Sequence, residues 1–395
     1  MIEKPGRPFS PLATGRVFAL RPAGRSRQRA RRHIRAATGA KVMKSVSVAM
    51  ATYNGAVYLQ AQLDSLAKQQ RLPAELVVTD DGSTDDTLVI LAEFARTAPF
   101  PVRVHTNVQR LGYRANFMRA ADLCQSEVIA FCDQDDVWSS DKLRRCADAL
   151  ESTDALMVCH NAIVTDSVLN PIDTLARDAL ARPYNPPLSI DPMRHALGFT
   201  LVFDRQFVQF STLWDRSVDL NDFRCQEGHD QWYFFLGSVF GPVVYIESPL
   251  AHYRRHAATA TSTRWAGASQ VSQAVHFLFE CLPRWEMHAL AFERRAAILE
   301  DIASRPACSH AAAARSGAEK YRSLARLYRE RVELYNSNTL VHRMRLFARI
   351  IASGGYRSAN VWAKGPKSAA KDLLAGVFRL SHLIPAAART RLRGY

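Results

Sequence analysis

The chain has 395 residues, 48% of them hydrophobic, which is enough to bury a sizeable core and excludes disorder of the whole chain. Seven cysteines, at 124, 132, 146, 159, 225, 281 and 308, include no Cys-x-x-Cys pair, so no zinc site or disulfide framework is signalled and a reducing, cytosolic compartment fits best. The formal charge of +15 suggests nucleic acid until it is located: residues 1–42 hold nine Arg and two Lys against Glu3, leaving only +5 for the remainder.

That arm, residues 1–42, is expected to be a disordered extension or a mis-assigned start, because Met43 directly precedes KSVSVAMATYNG, the natural opening strand of a domain. Transit peptides and nucleic-acid tails share its Arg-rich, acid-poor composition. No secretory signal is expected, since no apolar run with a small-residue cleavage site is present near the N-terminus.

From Val46 short apolar runs alternate with longer helical ones, the pattern of βαβ units and a largely parallel sheet. Strands are expected over 45–51, 75–80, 101–107, 127–133 and 155–161, with helices over 57–70, 85–96, 113–124 and 141–150 between them. The most apolar stretch, WYFFLGSVFGPVVYI (232–246), is shorter than the roughly 18–20 residues that span a bilayer. It reads as a buried helix followed by a strand. Beyond Leu250 the pattern turns to helices with basic faces, over 270–281, 285–303, 311–336 and 339–352. The tail after Ser353 interleaves Leu373, Leu374, Val377, Phe378, Leu380, Leu383 and Ile384 with Lys371, Arg379, Arg389 and Arg391. Two readings stay open for it: a segment lying on an anionic membrane surface, or a helix packed on the domain with a solvated basic face.

Ligands gather at the carboxyl ends of strands in open α/β sheets. Here those ends carry Thr52-Tyr53-Asn54, Asp80-Asp81-Gly82, Asn107 and Asp133-Gln134-Asp135-Asp136. The carboxylates of Asp133 and Asp135 would repel each other without a cation between them, and oxygen ligands of this type suit Mg²⁺ or Mn²⁺ bridging a diphosphate. An acidic turn capping the next helix explains Asp136 and Asp141 equally well, but not Asp133.

The segments TYN, DDGSTD, NVQRLGYRANF (107–117), FCDQDDVW (131–138), GFTLVF (198–203), GHDQW (228–232) and YRRH (253–256) occur in the order and approximate spacing of the family-2 glycosyltransferases. From about Val46 to His256 the chain resembles that family, most closely the bacterial members that build O-antigen and other surface polysaccharides, often labelled rhamnosyltransferases. The resemblance implies a GT-A fold, an α/β architecture with a mixed, mostly parallel sheet, followed by a helical C-terminal region. It implies a catalytic domain over 43–260, with a donor half (43–160) and an acceptor half (161–260), and a basic helical region over 261–395.

The implied reaction is inverting transfer of a sugar from a UDP- or dTDP-sugar to a glycan or lipid-linked glycan, with Mn²⁺ or Mg²⁺ as cofactor. Donor contacts fall on Thr52, Tyr53, Asn54, Asp81, Arg110, Arg114, Asn116, Asp133 and Gln134, with Asp81 accepting a pyrimidine ring N–H. Metal contacts fall on Asp133, Asp135 and His256. Gly198 and Trp232 lie on the acceptor side, where Phe199 departs from the family's usual small residue. Asp230 is the implied general base; an N-cap is its alternative reading. The implied place is cytoplasmic, peripheral at the inner face of the cell membrane. A non-catalytic sugar-binding relative is the main rival. No nucleic-acid partner is expected, because the acidic 133–136 cluster repels phosphates and no zinc-finger or RNP pattern occurs.

Overall fold

A computed structural model describes residues 43–175, 182–256, 281–357 and 362–379. The basic arm, the helix expected from Gln270, the boundary expected at 260 and the tail beyond Arg379 lie outside the described residues.

The first half alternates as the apolar pattern demands: β1 (Val46–Thr52), α1 (Ala56–Ala67), β2 (Glu75–Asp80), α2 (Thr87–Thr97), β3 (Val102–Thr106), α3 (Tyr113–Leu123), β4 (Val128–Cys132), a short β5 (Val137–Trp138) and α4 (Lys142–Ser152). β6 (Met157–Thr165), β7 (Pro171–Thr174), β8 (Tyr184–Asn185) and β9 (Leu201–Asp204) follow, then α5 (His229–Phe240) and β10 (Val243–Arg254). All ten strands join one sheet in the order β3-β2-β1-β4-β9-β6-β10-β5, with β7 on β6 and β8 on β10. β3, β2, β1 and β4 run parallel, as do β6 and β10, and β9 links the two groups antiparallel to both. The apolar stretch over 232–246 is α5 and the start of β10, a buried helix and then a strand.

Register sets the ligand edge. Thr52 lies opposite Asp80, and Asp80 opposite Thr106, so three polar strand ends stop level with one another. Behind them β1 and β2 are buried on both faces, with β3 half-exposed at the edge of the sheet, and alternate side chains feed two cores. Val46, Val48, Met50, Leu76 and Val78 pack with Leu59 and Leu63 of α1. Ala49, Val77, Ile129 and Phe131 point the other way, toward Phe117, Trp232, Tyr233 and Phe235.

That second core continues into the C-terminal helices α6 (Cys281–Ser304) and α7 (Ala311–Asn336), through Phe292, Leu299, Tyr321 and Tyr328. α8 (Leu340–Ala352) and α9 (Gly365–Lys371) complete the helical part, and α9 runs into a π-helical turn over Asp372–Val377. The start of the tail is therefore packed as far as Arg379. Asp372 is sealed from solvent and takes a bidentate pair from Arg331, at 2.7 and 3.1 Å, with Tyr356 and Tyr335 donating at 2.7 and 3.0 Å. No helix among the described residues is long and apolar enough to cross a membrane.

Removing one partner of a buried ion pair strands the other charge, at a cost of about 3–5 kcal/mol. Asp372→Ala is expected to lower thermal stability by an amount in that range, read by calorimetry. A melting curve matching the wild type would show that Arg331 finds another partner.

Candidate active site

The loops after β1 and β2 are clamped before any ligand arrives. The Thr52 hydroxyl donates to Asp80 Oδ2 at 2.8 Å, and Asp80 Oδ1 accepts the backbone N–H groups of Gly82 and Ser83 at 3.1 and 2.8 Å. Asp80 is thus a turn residue. Asn54, at a left-handed φ of 46°, accepts the Thr84 N–H at 2.8 Å, and its own N–H donates to Ser83 Oγ at 2.9 Å. Gln134 ties the third loop in: its side-chain amide accepts the Tyr53 N–H at 3.0 Å and donates to the Tyr53 carbonyl at 3.1 Å.

Asp81 organises the next loop. Its carboxylate accepts from the Leu111 and Gly112 N–H groups at 2.6 and 2.7 Å and from Asn107 Nδ2 at 2.8 Å. A carboxylate has about four acceptor positions, so one remains for a ligand. The loop so held carries Arg110, whose guanidinium lies 3.9 Å from the centre of the Tyr53 ring. Asn116 is buried, donates to the Thr79 carbonyl at 2.9 Å and accepts from Asn107 at 2.9 Å.

Acid is concentrated at the end of β4. Burial, then the neighbouring charges of Asp135 and Asp230, push the Asp133 carboxyl well above its ordinary range. Asp136 is fully buried and shifted the same way by burial and by Asp133 and Asp135. One of its oxygens accepts the Arg254 N–H at 3.0 Å, and the other has no partner among the described residues. The compensating cation is Lys142, sealed at the start of α4, where its ammonium donates to the Phe199 carbonyl at 2.7 Å and sits over the Trp138 ring. Burial pulls that ammonium down to about 8. His256 Nε2 lies 2.8 Å from Asp135 Oδ2.

Asp230 faces this cluster from the first turn of α5, with Oδ1 accepting the Gln231 N–H at 2.8 Å and Oδ2 at 3.9 Å from His195 Nε2. Its neighbour His229 is buried and stacks on Phe117 at 4.0 Å between centroids. Burial holds its imidazole down at about 4, so it is neutral at physiological pH. A β-carbon on Gly198 would sit 2.4 Å from His229 Nε2, so a glycine is needed there for the approach of the ring rather than for a turn.

A cavity of about 360 Å³ is lined by Thr52, Tyr53, Asp81, Arg110, Asn116, Asp133, Gln134, Asp135, Gly198, His229 and Asp230. Four nominated residues, Asn54, Arg114, Trp232 and His256, are not part of that lining, and His256 meets the site through Asp135. Arg114 pairs with Asp219 at 2.8 Å and bonds the Gln226 carbonyl, a bridge between α3 and the loop before α5 rather than a phosphate grip. Trp232 is fully buried in the core, one turn along α5 from the edge. Asn54 is engaged with the β2 turn. Sequence reasoning also missed Lys142. The signal was present, because Lys142 shares the buried stripe of Leu143, Cys146, Ala147 and Leu150 at helical spacing.

The donor set suits a hard divalent cation. Asp133 and Asp135 offer carboxylate oxygens that are costly to keep charged together, and Asp133 has no side-chain partner among the described residues. No group of three His, Cys, Asp or Glu side chains among the described residues is arranged to hold an ion by itself. His256 engages Asp135 instead. The remaining ligands would come from a diphosphate and water, as is usual for Mg²⁺.

Residues 47–204 match the family model described as glycosyl transferase family 2. The chain carries a family-2 glycosyltransferase domain. Protein Rv1520 of Mycobacterium tuberculosis is 28% identical over 216 residues, 54% of this chain and 59% of that protein. The dTDP-rhamnosyl transferase RfbG of Shigella flexneri is 36% identical over 118 residues, 29% of this chain and 41% of the relative. The chain therefore aligns with less than two thirds of either relative. Among solved structures, S. aureus TarS 1-349 in complex with UDP-GlcNAc superposes with a TM-score of 0.48 at 16% identity, covering 78% of this chain and 81% of that one. The family match ends at Asp204, short of Asp230.

A carboxyl whose pKa is raised by folding binds protons more tightly in the native state. Its contribution to stability is therefore present at low pH and is lost as pH rises above about 4, where an unfolded Asp ionises. In metal-free protein at neutral pH, Asp133→Asn is expected to melt at or above the wild-type temperature. Mn²⁺ should stabilise the wild type and not the variant. A clear loss of stability in the metal-free variant would show that the Asp133 charge is not strained.

Proposed function

We propose that the protein is a metal-dependent, inverting glycosyltransferase that moves a hexosyl or rhamnosyl group from a UDP- or dTDP-sugar to a glycan or lipid-linked glycan in bacterial surface-polysaccharide synthesis. One observation carries this reading: a single cavity is lined by Tyr53, Asp81 and Arg110 at one part, by Asp133 and Asp135, and by Asp230. The name of the Shigella relative supports a deoxysugar donor, and the free acceptor position on Asp81 supports a pyrimidine base.

In this reading the base lies against Tyr53, with Arg110 moving from the ring or closing over the base. Asp133 and Asp135 would hold Mg²⁺ or Mn²⁺, which would supply charge neutralisation at the departing diphosphate. Asp230 Oδ2, the oxygen that does not accept the Gln231 N–H, takes the proton of the acceptor hydroxyl. The acceptor oxygen forms the new bond to the anomeric carbon as the old carbon–oxygen bond breaks, and its electron pair leaves on the diphosphate. His229, neutral and uncharged beside Asp230, adds no competing cation that would weaken the base. We place the enzyme in the cytoplasm, peripheral at the inner face of the membrane, where a lipid-linked acceptor would be presented.

A panel of UDP-, dTDP- and GDP-sugars with Mn²⁺ or Mg²⁺, scored by release of free nucleotide, tests donor and metal together. Asp133→Asn and Asp135→Asn are expected to abolish transfer with the fold intact, and full activity in EDTA would contradict the metal role. The N-cap reading of Asp230 does not hold, because Gly228 caps α5 and Asp230 lies within its first turn. Asp230→Asn should still bind nucleotide and melt near the wild type, because an Asn oxygen can still accept the Gln231 N–H, while transfer falls by about a hundredfold or more. Near-normal turnover would reduce Asp230 to a structural residue of the helix's first turn. A product with retained anomeric configuration would overturn the single displacement.

A further inference from the structure

α8 is apolar on both sides. Its inner face is ordinary core: Leu346 and Ile350 are buried, and the buried Arg343 donates to the Val377 carbonyl at 2.9 Å and the Ser337 carbonyl at 3.1 Å. Its outer face carries Leu340, Val341, Met344 and Ile351 at 45, 60, 53 and 53% exposure, together with the exposed Ala348 and Ala352. At 100° per residue these six positions fall within one arc of about 120°, and no polar residue interrupts it. Arg345 and Arg349, both exposed, follow along one edge of the arc. Leu374 and Phe378 add two more half-exposed apolar side chains, on the segment whose Val377 packs against Leu346.

A solvent-facing helix side built only from aliphatic residues and edged by arginine has no reason to be stable in water alone. It matches a helix lying in the plane of a lipid interface. Charge decides between occupants. From Ser337 to Arg379 the sequence holds eight Lys and Arg against a single acid, Asp372, and that acid is buried against Arg331. Exposed positive charge comes from Arg345, Arg349, Arg357 and Lys367; of these, Arg349 has Glu330 at 3.6 Å. A second copy of this face would bring like charge against like. The sequence beyond Arg379 continues the basic balance, adding Arg389, Arg391 and Arg393 and no acid.

We infer that the outer face of α8, with Leu374 and Phe378, is a docking surface for an anionic lipid bilayer. This deepens the membrane placement proposed above by naming the surface, and it is independent of the transfer chemistry.

The test is flotation of the full chain with phosphatidylcholine vesicles, with and without phosphatidylglycerol, at low and high salt. Wild type is expected to float with the anionic vesicles at low salt and to be released by salt. The variant Val341→Glu/Met344→Glu/Ile351→Glu should bind about tenfold less or weaker still, while keeping its melting temperature and its turnover of free nucleotide-sugar. Met344→Glu alone serves if the triple variant does not fold. Wild type that stays with the soluble fraction, or a variant that floats as well as wild type, sinks the proposal. So does a wild-type dimer that the variant dissolves without any flotation. Normal flotation with no sugar transfer would instead count against the transferase reading and leave the surface standing.

Discussion

The mutual repulsion of Asp133, Asp135, Asp136 and Asp230 is the constraint around which the strand-end edge is built. Burial should favour apolar groups at the end of a fully buried strand, yet β4 delivers three carboxylates there and α5 turns a fourth toward them. Three features moderate the conflict. Lys142 is held without solvent behind the cluster, where its charge acts through a medium of low polarity. Arg254 donates its N–H to Asp136 and its guanidinium to the Asp135 carbonyl at 2.7 Å, fixing the backbone of the acidic turn. His256 sits on Asp135. At Asp133 burial and the charges of Asp135 and Asp230 still outweigh Lys142, and a bound divalent cation is the simplest group that would complete the set.

The helical C-terminal region reaches the same edge from the opposite side. Arg295 of α6 and Glu227 form a buried pair at 2.6 Å, and Arg295 also donates to the Pro192 carbonyl and the Tyr321 hydroxyl at 3.1 and 3.3 Å. Glu227 stands three residues before Asp230. From the sheet side Arg114 holds Asp219, which also accepts from Gln231 at 3.3 Å. Asp230 is therefore flanked in sequence by Glu227, tied to the helices, and by Gln231, tied through Asp219 to α3. Loss of either buried pair would leave a charge without a partner, so the helices help to hold the segment that carries Asp230 in position.

The sheet was legible because period-two and period-3.6 patterns are strong where strands are wholly buried and helices bury one stripe. β2 and α7 fall where the pattern put them, and the other strands and helices of the first half differ by a few residues at their ends. β9 was harder to find. Its segment was noticed for GFTLVF, but an antiparallel strand inserted between two parallel groups is a long-range pairing that no local period announces. The individual roles were the least legible part. Arg114 and Arg110 stand four apart in one motif, yet Arg114 meets Asp219, more than a hundred residues away, while Arg110 meets Tyr53. Distance along the chain hides which partner an arginine will find.

A general reason links these placements. Polar residues at strand ends first satisfy the backbone groups that the ending sheet leaves open, because an unpaired buried donor or acceptor costs more than a ligand contact returns. Asp80, Asn54, Gln134 and Asn116 are consumed in this way, and most of Asp81 with them. Valence is left over at the ring face of Tyr53, the guanidinium of Arg110, the carboxylate of Asp133 and Oδ2 of Asp230, which are the groups the proposed reading uses. A motif supplies residues of the right type to both groups without distinguishing them. Only the hydrogen-bond partners do so, which is why motif matching locates the edge of a site well and divides its labour badly.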